Sequence, residues 1–166
     1  MSLKFVVLLL FVIGCSSNMQ KELTFDDFKE KIVPEMKQLT QDISEVEAKY
    51  KEIIETKDID ECNHIGNISQ SSAILTAYRE VGVNFYNDNK EYFDKYCDQT
   101  PGCDVVETNV GVWEENIDLY NDFMDKNNDI LKGCGYTFTM EELLDEARVI
   151  VDDYLEERGD ILNVSS

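Results

Sequence analysis

Histidine, proline and basic residues are scarce in this chain of 166 residues, and each scarcity removes a class of function. The single histidine, His64, excludes a histidine-based triad, paired-imidazole chemistry and a histidine-rich metal site. It stands two residues after Cys62 in a polar stretch and is expected in a loop open to solvent. Lysine and arginine number 15 against 35 acidic residues, a formal charge of -20. That charge repels nucleic-acid phosphates and anionic lipid heads, so neither is expected as a partner. The only prolines are Pro34 and Pro101, and no Pro-, Gly- or Ser-rich stretch marks a linker, so one domain is expected. After Ile13 no apolar run approaches the roughly 20 residues that a membrane-spanning helix needs. There is no Gly-x-Ser-x-Gly turn, and no glycine-rich loop precedes a helix, so the common acyl-transfer and phosphate-binding signatures are missing too.

Present instead are four cysteines at the ends of long amphipathic stretches: Cys62, Cys97, Cys103 and Cys134. A helix rises about 1.5 Å per residue, so a helical run from Cys62 to Cys97 would separate its ends by roughly 40 Å. A disulfide needs Cα atoms within about 7 Å. The same arithmetic keeps Cys103 from Cys134. If the two runs are antiparallel neighbours, as their short connection favours, the pairs are Cys62–Cys134 and Cys97–Cys103. Closing the larger loop contributes roughly 4 kcal/mol and the smaller roughly 2 kcal/mol in the chain-entropy account. The cysteines lack Cys-x-x-Cys spacing, which argues against zinc.

The amino terminus reads as a secretory signal: Lys4, the apolar run Phe5 to Ile13, then Gly14, Cys15, Ser16 and Ser17. Cleavage is expected between Gly14 and Ser17, leaving a helical domain over 18–159 and a frayed tail over 160–166. Val12-Ile13-Gly14-Cys15 resembles the lipobox of bacterial lipoproteins, a resemblance that implies lipidation of Cys15 and membrane anchoring through it. The other reading is an ordinary signal with Cys15 removed and the protein secreted. Removing Cys15 turns an odd count of five cysteines into two pairs, as an oxidising compartment favours. Asn67-Ile-Ser69 and Asn163-Val-Ser165 match the N-glycosylation pattern, which bears on function only in a eukaryotic source.

Helical periodicity runs through the rest. From Phe25 the apolar steps are 3, 4, 4, 3, 4, 3, 4 and 3 as far as Ile53, and Thr24 with Asp27 has the form of an N-terminal cap. Pro34 falls inside this run and is expected to kink or split the helix. A second helix is expected from Ser69–Ser72 to Tyr96, softened at Asn87-Asp88-Asn89. A third runs from Val106 to Cys134, ended by the flanking Gly133 and Gly135. A fourth opens at Thr139 with Glu142 as its capping partner. The fold class expected is all-α, an up-down-up-down four-helix bundle stapled by two disulfides.

Asp125-Lys-Asn127-Asn-Asp129 starts like a calcium loop, but Ile130 stands where glycine is required and Tyr136 where the closing glutamate belongs. No metal, no cofactor and no catalytic residue is expected. The aromatic residues Phe85, Tyr92, Tyr96, Trp113 and Tyr120 are candidates to line a pocket for a small apolar ligand. The function expected is that of an exported, non-catalytic binding or interaction module. The alternative is a carrier of a small hydrophobic molecule in the bundle interior. In either case the protein is expected to be a monomer.

Overall fold

The computed structural model describes residues 23–56 and 60–158. The expected signal segment with Cys15, and the tail 160–166 with Asn163, lie outside the described residues. The fold is all-helical, and among the described residues there is no strand. In chain order the helices are α1 (Phe25–Asp27), α2 (Val33–Glu55), α3 (Glu61–Asp88), α4 (Lys90–Tyr96), α5 (Cys103–Gly133) and α6 (Met140–Arg158).

Local chemistry sets most of the boundaries. Thr24 and Asp27 form a reciprocal capping box: the Asp27 N–H donates to Thr24 Oγ1 at 3.2 Å, and Thr24 N–H donates back to Asp27 Oδ2 at 3.1 Å. Between α1 and α2 the chain makes a wide π-turn, Phe28–Ile32, in which Val33 N–H donates to Phe28 O. Pro34, next in line, has no N–H to continue a regular ladder. The wide turn carries the chain past it with Phe28 and Ile32 both fully buried.

The second long helix begins at Glu61, earlier than the Ser69–Ser72 start that periodicity indicates. Asp60 caps it by accepting from Asn63 N–H at 3.3 Å. Cys62 and His64 therefore lie in the first turns of α3 and not in a loop. His64 is half-buried, and its Nδ1 is enclosed without a hydrogen-bond partner, so its expected exposure is corrected. At the far end α3 breaks at Asn89, whose side-chain amide donates to Phe85 O at 2.8 Å. After α4 comes a 3-10 turn, Cys97–Gln99, and then Gly102 at φ 80 turns the chain into α5.

The carboxyl end of α5 is a Schellman motif. Tyr136 N–H donates to Leu131 O at 3.1 Å and Gly135 N–H to Lys132 O at 3.0 Å, with Gly135 at φ 83. Thr139 and Glu142 then open α6 as a capping box.

Both disulfides have the expected partners, Cys62 with Cys134 and Cys97 with Cys103, each with Cα atoms 5.3 Å apart. The first joins the start of α3 to the end of α5. The second joins the chain beyond α4 to the start of α5, so α3 and α5 run antiparallel.

Helix α3 is the centre of the bundle and packs against α2, α5 and α6 in turn. Its run Leu75, Thr76, Ala77 and Tyr78 is buried without interruption, the mark of a helix covered on more than one side. Helices α2, α5 and α6 each bury a single stripe. Arg158 at the end of α6 pairs with Asp42 of α2, whose carboxylate also accepts from Gln38 Nε2 at 3.0 Å. Burial pushes the neighbouring Glu35 carboxyl up, against the downward pull of Arg158.

Candidate functional site

Among the described residues nine large apolar side chains are exposed, and four of them, Ile54, Leu119, Phe123 and Ile130, line one groove. The groove has a volume of about 630 Å³ and runs along α3 between α2 and α5. Its floor follows helical spacing on α3. Ser69, Ser72 and Thr76 recur at steps of three and four, and these short side chains leave depth between the flanking helices. Ile65, Ile68 and Leu75 make the rest of the floor apolar. The walls are Tyr50 and Ile54 from α2, with Leu119, Tyr120 and Phe123 from α5.

Because α3 and α5 are antiparallel, the groove has two distinct ends. Ile65 of α3 and Ile130 of α5 lie toward the Cys62–Cys134 disulfide. Arg79 and Asn116 lie at the other. Arg79 is only 12% exposed; its Nη2 lies 3.7 Å from Glu47 Oε1, too far for a hydrogen bond, and its Nε has no hydrogen-bond partner. Lys51 Nζ lies 3.8 Å from the same Glu47 oxygen. Burial pulls the Arg79 guanidinium below the usual arginine value, with Glu47 pulling the other way. Tyr120 forms part of the wall. Its hydroxyl donates to Met140 O at 3.0 Å, and burial pushes its pKa up to about 12.

Of the five aromatic residues that the sequence offers as a pocket, only Tyr120 reaches this groove. Trp113 is buried against Gly82, and Phe85 is buried in the core. Tyr92 is half-buried and packs against that core. The Tyr96 hydroxyl donates to Leu23 O at 3.4 Å, and its ring packs on Phe25 and Phe28. The aromatic-rich end of the bundle packs around Phe28 and Phe93, both fully buried with ring centroids 5.3 Å apart. The groove residues missed by sequence reading are the off-seam aliphatics Ile54, Leu119 and Ile130. Leu119, Phe123 and Ile130 repeat at steps of four and seven, a second stripe on α5 beside the Val106–Val110–Trp113 seam.

Asn67 is exposed on α3. Residues 125–130 are continuous helix within α5 and form no calcium loop. Among the described residues no three His, Cys, Asp or Glu side chains converge to hold a metal, and no helix is long and apolar enough to cross a membrane. A second depression of about 600 Å³ carries Glu80, Glu114 and Asp118, but Arg148 already closes on Glu80 through two hydrogen bonds of 2.8 Å. Comparison of the chain with protein-family models, curated proteins and solved structures gives no significant match.

Proposed function

We propose that this protein is an exported, non-catalytic binding module whose working surface is the groove between α2, α3 and α5. One observation carries the reading: Ile54, Leu119, Phe123 and Ile130 converge on a single concave site instead of being scattered over the surface. The groove volume of about 630 Å³ lies in the range of small-molecule sites, about 300–1,000 Å³. That favours the carrier form of the reading, with the ligand held along the central helix and not inside the bundle.

The scaffold for this site is an up-down-up-down arrangement of α2, α3 with α4, α5 and α6, working as a monomer. Export is supported by the tripartite pattern of residues 1–17 and by two disulfides of the kind that persist in oxidising compartments. A lipid on Cys15 would tether the same module to a membrane. Intact-mass analysis of the native protein separates the two.

The groove is tested with a neutral apolar fluorophore such as Nile red. Phe123 is 50% exposed, so Phe123→Ser leaves the core untouched and is expected to weaken binding about tenfold, the scale of one buried aromatic side chain. Equal binding by both proteins would place the site elsewhere. Hydrolytic turnover abolished by changing one carboxylate would defeat the non-catalytic reading.

A further inference from the structure

We infer that the groove takes an amphipathic carboxylate, with its anionic head at the Arg79–Lys51 end and its hydrocarbon tail running toward Ile65 and Ile130. This rests on the groove being a ligand site, as proposed above, and adds the chemistry of what fills it. The charge pattern carries the argument. In a chain of net charge -20, this end of the groove holds two cations leaning on one carboxylate oxygen, Glu47 Oε1, at 3.7 and 3.8 Å. Neither distance is a hydrogen bond. The Arg79 guanidinium is thus largely removed from water, with its charge under-compensated and its Nε unpartnered.

A neutral hydrocarbon lying in the groove would cover that guanidinium further and leave it worse off, because a buried charge is tolerated only when paired and hydrogen-bonded. A carboxylate head supplies the missing oxygens in the planar geometry a guanidinium favours. A basic ligand meets repulsion from both cations, even though the molecule as a whole attracts cations. The dimensions agree with a long tail: from Ile65 to Arg79 the floor helix spans roughly 20 Å.

The experiment is calorimetric titration of the full mature protein at pH 8 with dodecanoate, dodecan-1-ol and dodecylamine, each below its aggregation concentration. Dodecanoate is expected to bind at least tenfold more tightly than the alcohol, with the amine weakest. Arg79→Met should reduce the carboxylate's advantage to threefold or less, weakening the carboxylate and tightening the alcohol, which then no longer covers an under-compensated charge. Lys51→Met, at a side chain 69% exposed and so without risk to folding, should reduce it part of the way. Phe123→Ser should weaken all three alike. Equal binding of alcohol and carboxylate by the unmodified protein, or tightest binding of the amine, overturns the inference and leaves the groove reading standing. If no amphiphile binds, the groove reading fails and the inference fails with it. Sedimentation showing a dimer that Phe123→Asp dissociates would make a second copy the occupant and overturn the inference in another way.

Discussion

At position 82 two preferences of the chain conflict. Glycine inside a helix costs about 1 kcal/mol relative to alanine, and Gly82 is well inside α3. A β-carbon there would lie 2.7 Å from Trp113 Cζ3 and 3.2 Å from Ile43 Cδ1. Trp113 and Ile43 are themselves buried, so neither can step aside into solvent. Overpacking of this kind costs about 1–3 kcal/mol, which outweighs the gain in propensity. With the propensity gain subtracted, Gly82→Ala is expected to lower unfolding stability in urea by up to about 2 kcal/mol. Gly111 supplies the control, since it lies within α5 with nothing within 4 Å of its added β-carbon. Gly111→Ala should raise stability by up to about 1 kcal/mol. If both substitutions stabilise, the indole has room that this packing denies it. The same close approach explains why α3 can sit at the centre of the bundle: where its side chain vanishes, a tryptophan from α5 takes the space.

At the scale of helices, the two disulfides do unequal work. Cys62–Cys134 closes a loop of 72 residues and Cys97–Cys103 one of 6, so the chain-entropy account gives about 4 and about 2 kcal/mol. Replacing each pair by serine and measuring urea unfolding should show the long staple costing about twice the short one. Equal losses would mean that strain or residual structure in the unfolded chain, and not loop length, decides their value. The pairing itself was legible in the sequence because helix length forbids one alternative and the antiparallel return favoured by the short connection forbids the other. So were the boundaries made by local chemistry: Thr24 with Asp27, Thr139 with Glu142, and Gly135 after α5. The start of α3 was not. Its first turns are Glu61-Cys-Asn-His-Ile-Gly66-Asn, with weak helix formers and no apolar period. They are helical because Asp60 caps them, Cys62 is tied to Cys134, and Gly66 admits the Tyr136 ring. The groove was hidden for a related reason. Periodicity picks out the stripe that packs inward, and Leu119 and Ile130, which lie off it, read as noise until the fold sets them with Ile54 of α2 along α3. Of the aromatic candidates, Phe85 and Trp113 fill the core, Tyr92 and Tyr96 pack against it, and Tyr120 alone lines the groove.

For the whole molecule, 35 acidic residues against 15 basic ones make self-repulsion the leading long-range term. Salt acts on it in two opposing ways. It screens repulsion among the exposed carboxylates, which stabilises the folded state, and it weakens surface ion pairs such as Lys31–Asp27 and Lys90–Asp94, which destabilises it. Each exposed pair of this type contributes little, because water screens the attraction and holding two long side chains in one geometry costs entropy. With the acidic excess at 20 charges, repulsion dominates the sum. At 0.01 M salt the screening length is about 30 Å, comparable to a whole domain; at 1 M it is about 3 Å. Thermal unfolding followed by circular dichroism is therefore expected to move upward by about 2 °C or more between these limits, the shift that roughly 1 kcal/mol produces in a protein of this size. Sodium chloride is the salt to use, since sulfate would add a stabilisation of apolar burial unrelated to charge. A melting temperature that falls with sodium chloride would show that local pairs such as Arg148 with Glu80 and Arg158 with Asp42, and not the net charge, control how the helices hold together.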